Sequence, residues 1–410
     1  MARFLVDVSP LRKSRNLRLL FLGHLISQLG SNLTLVAVPF QAYRETHSSL
    51  WVGLVSVMQL PFLIAGSLWG GSLGDRIERR RLFVITGVLQ AVALGLLALN
   101  AQLHTTHIYF LIGAACLATS LTALAGPIRT AAIPNLVQGD DLVAAYSVNQ
   151  VIMNLATVVG PAIAGVLLAS IGLSTCYVLD GVTFLALAVC ARFMSPMPVS
   201  GEGTAKKLFA SIRDGFSYVR QHAIAQAVYL ADLNAMVFGL PRALFPAVAL
   251  TMYHAGPRTL GLLYAAPGIG ALALAFGSGW IVHVKRQGRL VTLAIVTWGG
   301  AMAVFGTTHT LWLGLTCLAV AGSMDVISTV LRNTILQNAI ADEFRSRISS
   351  IQLAVVTGGP RLGDVESGVV ANLVSTQFSI VSGGLACVVG VLLLVKWRPQ
   401  LWLSEKPLAS

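Results

Sequence analysis

Long apolar stretches recur along the whole chain and restrict what it can fold into. A bilayer core is crossed by about 20 mostly apolar helical residues. Stretches of that length lie at roughly 17–42, 50–74, 82–101, 107–134, 143–170, 172–193, 223–252, 259–283, 289–306, 311–338, 347–374 and 379–396. Since 55% of the residues are hydrophobic and 11% charged, a soluble domain is excluded. The sequence predicts an all-α, polytopic membrane protein with 12 transmembrane helices.

Lys and Arg are distributed unevenly between the two sets of loops. Of the 28 in the chain, only Arg44 and Arg258 fall in the loops of one side, and four fall inside spans. The others lie in the opposite loops and at the termini, and cytoplasmic loops carry the basic excess. We therefore expect an inner-membrane protein with both termini cytoplasmic. Orientation and anionic lipids account for the net charge of +12, without nucleic acid as a partner.

A polar stretch at 195–222 divides the chain into two similar halves. Phe209, Ile212, Phe216 and Val219 follow helical spacing there, with basic residues between them, which predicts an amphipathic helix on the inner leaflet. The predicted domains are an N-terminal six-helix bundle (1–194), this cytoplasmic linker (195–222) and a C-terminal six-helix bundle (223–410).

The two halves show traces of an internal repeat. PIRTAAIPNLVQGDD in the fourth span aligns with VLRNTILQNAIADEF in the tenth, which places Arg129 over Arg332 at an offset of 203. VVGPAIAG in the fifth span matches TGGPRLGD in the eleventh, with Pro161 over Pro360 at an offset of 199. Two similar offsets indicate duplicated, pseudo-symmetric halves, an arrangement common in transporters.

Charge is concentrated in the turn GGSLGDRIERRR, residues 70–81. Gly66, Gly70 and Gly74 share one helical face ahead of the turn, which permits close contact with a neighbouring helix. An aspartate and arginines across a tight turn can form a charge-assisted latch. The alternative is that the arginines only fix the orientation. The residues of the latch hypothesis are Gly71, Asp75, Arg76, Arg79 and Arg80.

Charged residues inside the spans are few, and each is costly at mid-bilayer unless it is paired or hydrated. Asp325 and Arg332 are seven residues apart and face one stripe of the tenth helix. Arg361 and Asp364 are three apart and can pair on the eleventh. The candidates for a proton or substrate pathway are Asp325, Arg332, Arg129, Arg361, Asp364, Glu366 and Asp232.

Asp325 is the preferred proton carrier among these, because it lies mid-helix beside Arg332. Asp232 ranks last, since it sits nearer the cytoplasmic end. Two other polar residues receive no transport role. Asp180 is interpreted as a cap or an interfacial residue near a helix end, and His24 looks isolated.

Motifs of other functional classes are missing from the sequence. It contains no HExxH, no metal-type Cys/His cluster and no GxxxxGK[ST] phosphate-binding loop. The five cysteines lie in apolar segments without CxxC spacing and are predicted to be core residues. We expect a protein that is not an enzyme, that is not powered by nucleotides, and that holds no cofactor or metal.

The stretch GSLGDRIERR, residues 71–80, resembles the loop signature G-x-x-x-D-R-x-G-R-R of the major facilitator superfamily. It departs at Glu78, where glycine is usual. DRIERRR, PRALFPA and GLLYAAPGIGAL resemble the enterobactin-exporter branch of that superfamily, a likeness that runs over nearly the whole chain. GGPRLGDVESG in the eleventh span departs from that branch, which bears on the substrate more than on the fold.

The resemblance implies two six-helix bundles and alternating access to a site at mid-membrane. Gly160, Pro161 and Gly165 of VVGPAIAG are similar to a fifth-helix antiporter motif, which favours export; the alternative is a structural Gly-Pro kink. We expect a monomeric secondary transporter that exports a small amphipathic molecule (a drug, a siderophore or another secondary metabolite) in exchange for protons. An importer or permease for a small metabolite, or a non-transporting membrane sensor, is the alternative.

Overall fold

The computed structural model describes residues 7, 9–74, 76–103, 107–137, 139, 141–197, 216–217, 219–340 and 345–404. These residues are mainly helical and include no β-strand. The helices are α1 (Ser9–Lys13), α2 (Arg15–Thr46), α3 (Ser49–Gly74), α4 (Arg79–Gln102), α5 (Ile108–Leu136), α6 (Asp141–Arg192), α7 (Ala223–Phe238), α8 (Pro257–Gly277), α9 (Gln287–Thr307), α10 (Leu311–Ala339), α11 (Arg345–Leu373) and α12 (Thr376–Trp397). Short 3₁₀, α and π turns connect α7 to α8 over residues 242–252.

Ten helical stretches among the described residues are long and apolar enough to cross a membrane. Helix α6 has 52 residues, about twice the length that one crossing needs, and Gly172 interrupts it with φ 80° and ψ 174°. Helix α11 is not among the ten, and it carries Arg361, Asp364 and Glu366 close together. Twelve spans require α6 to cross twice and α11 once, so that number stays a prediction.

The chain divides into two compact units. The first contains residues 1–46 and 58–206, and the second contains residues 47–57 and 207–410. The division after residue 206 falls within the linker expected at 195–222. The amphipathic helix predicted there falls largely on residues 198–215, which lie outside the described part of the chain.

In the first unit, α6 packs against α2 and α4, and α4 packs against α5. Two of the three glycines before the charged turn, Gly66 and Gly70, act as the sequence predicts, whereas a Cβ at Gly74 would meet only the Ile128 side chain at 3.5 Å. A Cβ at Gly66 or Gly70 would overlap the backbone carbonyl of Ser120 or Leu124 on α5. Only glycine therefore lets α3 approach α5 this closely.

In the second unit, α9 packs against α10 and α12, and α8 packs against α10. A Cβ at Gly270 of α8 would overlap the carbonyl of Ala319 on α10, so this contact is again one of backbone against backbone. The indole Nε1 of Trp298 donates to the carbonyl of Gly239, 2.7 Å away, and ties α9 to the end of α7.

Helix α3 contributes to both units, because residues 49–57 belong to the second and residues 58–74 to the first. Pro61 lies inside this helix. Proline has no N–H, so the Val57 carbonyl, four residues earlier, loses its helical hydrogen bond.

Candidate transport site

A buried ion pair lies in the second unit between α7 and α10. Asp232 Oδ1 and Arg332 Nη2 are 2.7 Å apart, and both side chains are only 3% exposed. Both residues were candidates from the sequence, but their pairing was not predicted. Asp232 was ranked last because of its position along the helix. That position does not reveal which residue of the neighbouring helix it contacts. Its contact with Arg332 makes it a member of the same cluster as Asp325.

Asp325 joins this pair through a hydroxyl group. Thr329 Oγ1 donates to Asp325 Oδ1 at 3.2 Å, and Arg332 Nη2 donates to Thr329 Oγ1 at 3.2 Å. The prediction that Asp325 and Arg332 share one stripe of the helix is therefore confirmed, with Thr329 between them. One guanidinium thus serves two carboxylates, Asp232 directly and Asp325 through Thr329.

A second polar cluster in the same unit surrounds Ser56, from the part of α3 that belongs there. The Ser56 hydroxyl donates to Asp364 Oδ2 at 2.6 Å, and Arg361 Nη1 donates to the Ser56 carbonyl at 2.6 Å. The backbone N–H of Ala243 donates to Asp364 Oδ1 at 3.0 Å. Asp364 and Arg361 therefore meet at Ser56, while their direct ion pair stays a prediction. Glu366, on the same helix, is half-buried.

In the first unit, Arg129 of α5 contacts His24 of α2, with Nη1 and Nδ1 3.0 Å apart. His24 is 2% exposed. The interpretation of His24 as isolated is therefore wrong. The two residues are 105 positions apart, and only the packing of α2 against α5 brings them together. Both line a cavity of about 30 Å³.

Asp180 is also more deeply placed than its sequence position suggested. It is 1% exposed, and its carboxylate accepts hydrogen bonds from the hydroxyls of Thr34 at 2.5 Å and Thr183 at 3.3 Å. The interpretation as a cap or interfacial residue is wrong, because the break at Gly172 lies about two turns before Asp180 and Thr34 of α2 covers the carboxylate.

The charged turn between α3 and α4 is described except for Asp75, which lies outside the described residues. Glu78 lies 3.5 Å from Arg80 Nε and 3.0 Å from Arg81 Nε. Arg80 Nη1 also donates to the Met194 carbonyl just beyond α6, at 3.1 Å. Glu78, the departure from the usual loop signature, thus forms ion pairs with two neighbouring arginines, while the latch itself stays a prediction.

Three other latch residues differ in their surroundings. Arg79 is 4% exposed, whereas Arg76 lies in the exposed turn. A Cβ added at Gly71 would meet nothing within 4 Å, so no steric reason for glycine is visible at this position.

The Gly-Pro motif lies within α6 at its contact with α2. A Cβ at Gly160 would come within 2.5 Å of the Asn32 side chain, and Pro161 and Gly165 are buried. The motif is therefore a close-packing site between these two helices. Its role in export remains an expectation.

Metal chemistry receives no support from the side chains that are described. Within the described ranges, no group of three or more His, Cys, Asp or Glu residues is arranged to hold a metal ion. All five cysteines are free thiols, and four of them are buried, as predicted for core residues.

Comparison with known proteins supplies the family. The family of transmembrane secretion effectors matches residues 6–407. Enterobactin exporter EntS of Citrobacter koseri is 30% identical over 396 residues, which are 96% of this chain and 94% of the exporter. EntS of Escherichia coli O1:K1 is 28% identical over the same coverage of both chains.

Solved structures agree on the fold. The nucleoside transporter NupG aligns with a TM-score of 0.73 over 93% of this chain and 98% of its own, at 11% identity. A transporter of the POT family, in complex with 5-aminolevulinic acid, aligns with a TM-score of 0.73 over 95% of this chain and 97% of its own, at 12% identity. The chain belongs to the transmembrane secretion effector family and is a membrane transporter of the major facilitator type.

Proposed function

We propose that this transporter exports a small amphipathic molecule by alternating access, driven by protons that move in the opposite direction. It acts as a monomer in the bacterial inner membrane, with both termini cytoplasmic and in contact with anionic lipids. The enterobactin exporters that match it over nearly its full length support export and make a siderophore the first compound to test.

The observation that carries proton coupling is the cluster of Asp232, Arg332 and Asp325. At short range, one guanidinium faces two carboxylates. Arg242 also acts on Asp325 electrostatically, but less strongly than Arg332. An uncompensated charge is costly in a low-dielectric interior. Asp325 has no direct contact with Arg332, so its carboxylate is the one that takes up a proton.

Asp325 is therefore the proton carrier in this proposal, as its place on the helix already suggested. Its link to Arg332 passes through a single hydroxyl group, which can reorient without moving the helix backbone. A small change around Thr329 alters how much positive charge Asp325 experiences, and with it the affinity of Asp325 for a proton. Asp364 is tied to Ser56 and to a backbone N–H, which favour its charged form in a fixed environment.

Flux measurements in proteoliposomes test the function. The purified protein is reconstituted with enterobactin inside or outside the vesicles, and a pH gradient of either sign is imposed. We expect enterobactin to move against its own gradient, in the direction opposite to the protons, and to stop doing so when nigericin and valinomycin collapse both gradients. Unchanged movement after collapse would reject proton coupling. Movement in the same direction as the protons would make the protein an importer.

Non-transport is tested in the same vesicles with a panel of amphipathic compounds. Ethidium serves as a cationic drug, and an uncharged dye serves as the control for leakage. A transporter of this kind should move at least one compound faster than protein-free vesicles do. No flux of any compound would favour the sensor alternative.

A further inference from the structure

Arg129 is a cation inside the first unit for which the structure shows no counter-ion. Its guanidinium contacts His24, and no carboxylate of the described residues forms an ion pair with it. The aligned arginine of the other half, Arg332, has Asp232 at 2.7 Å. A charge in a low-dielectric interior needs an opposite partner. No carboxylate of the described residues supplies that partner at Arg129, so the position is open to an anion from outside the protein.

His24 adds a second donor at the same place. Because a guanidinium carries only donors, Nδ1 of His24 accepts from Arg129 and bears no proton. The ring proton of the neutral imidazole is then on Nε2. Nε2 is buried and makes no hydrogen bond to the described part of the protein. The site thus presents a guanidinium and an N–H group without an acceptor, and an anion satisfies both.

The cavity between these groups has the right size and lining for one charged group. Its volume is about 30 Å³, comparable to the share of one water molecule in the liquid. Arg129, His24, Ser27, Gln28 and Thr122 form its polar wall, and the rest is apolar, including Phe83. A cavity of this size holds only the charged end of an amphipathic molecule, whose apolar body lies outside it.

The internal repeat explains why the two halves differ. Arg332 lies 203 positions after Arg129, and Asp232 lies 204 positions after Gln28. Within one residue of the position that corresponds to this carboxylate, the first half has the neutral amide of Gln28, which lines the cavity and donates to Met153 Sδ at 3.4 Å. The same arginine position is neutralised within the protein in one half and left open in the other.

We propose that Arg129, His24 and Gln28 form a subsite for an anionic group of the transported molecule, a carboxylate or a phenolate. Only the statement that the anion is cargo depends on the proposed function, since anion binding does not require transport. Arg129 supplies charge-assisted hydrogen bonds, His24 Nε2–H supplies a directed donor, and the apolar wall favours organic anions over strongly hydrated inorganic ones.

Benzoate and its neutral analogue benzamide are suitable probes, because they differ chiefly in charge. Binding of each radiolabelled compound to the full chain in lipid nanodiscs is measured by equilibrium dialysis at constant ionic strength. We expect the wild type to bind benzoate at least about tenfold more tightly than benzamide, as a charge-assisted contact implies. Arg129→Gln should abolish this preference. Arg258→Gln, which removes an exposed arginine, should retain it.

Gln28→Asp is the sharpest variant, because it gives the first half the carboxylate that the second half already has. It should abolish the benzoate preference while leaving the melting temperature equal to that of the wild type or higher. A folded Gln28→Asp protein that keeps the preference, or equal affinities of the wild type for the two probes, would overturn the proposal. Since binding is measured without gradients, a failure of proton-driven flux with the preference intact would reject the proposed function alone.

Discussion

Removing one partner of the Asp232–Arg332 pair tests whether this contact holds the second unit together. At 2.7 Å and an effective dielectric constant of about 20, the two charges attract each other by about 6 kcal/mol. Desolvation of both groups offsets much of this, so the net contribution of the pair is small. Asp232→Asn instead leaves a buried guanidinium unpaired, which costs about 3–5 kcal/mol. Because Asp325 still reaches Arg332 through Thr329, we expect a loss near the lower end of that range.

The assay is equilibrium unfolding of the purified protein in mixed micelles with increasing SDS. Asp141→Asn is the matched control. Asp141 lies 2.9 Å from Lys13, a similar distance, but these side chains are 28% and 64% exposed. Exposed pairs contribute about 0–1 kcal/mol, so the control should unfold nearly as the wild type does.

A double variant separates the pair from general damage to the fold. Asp232→Asn combined with Arg332→Gln removes both charges of the pair and leaves only Asp325, which does not contact Arg332 directly. The double variant should therefore be less destabilised than the sum of the two single variants by about 2 kcal/mol or more. Additive losses, or a loss below about 1 kcal/mol for Asp232→Asn, would show that Asp232 and Arg332 are not strongly coupled despite their burial and short distance.

Three further changes have defined outcomes. Asp325→Asn should abolish uphill efflux while substrate exchange continues, and a variant that still concentrates substrate in the vesicle assay would remove Asp325 from the mechanism. Asp75→Asn should keep the membrane orientation but lower transport and shift the balance of inward and outward states, measured by accessibility labelling; normal transport would leave the arginines as orientation signals only. Gly70→Leu should destabilise the protein by about 1–3 kcal/mol, since its Cβ would overlap the Leu124 carbonyl, whereas Gly95→Leu, with nothing within 4 Å of its Cβ, should unfold like the wild type.

The sequence predicted features that depend on neighbours along one helix. The spacing of Asp325 and Arg332 placed both on one stripe, and the glycines before the charged turn marked a close helix contact. It did not predict the partners of Arg129 or Arg332, because His24 and Asp232 lie on other helices about 100 positions away. Helical periodicity gives the face on which a residue lies, but the rotation and pairing of helices decide what that face meets. Polar groups whose partners are distant in sequence therefore looked isolated.

Helix α3 changes its packing partners close to Pro61, where a missing hydrogen bond makes the helix easier to bend. It passes from the second unit to the first between residues 57 and 58, and the hydrogen bond that Pro61 cannot make would have ended on Val57. A proline gap of this kind lowers the resistance of a helix to kinking. Bending of α3 should therefore concentrate at residues 57–61, and Pro61→Ala, which restores the missing N–H, should stiffen this part of the helix.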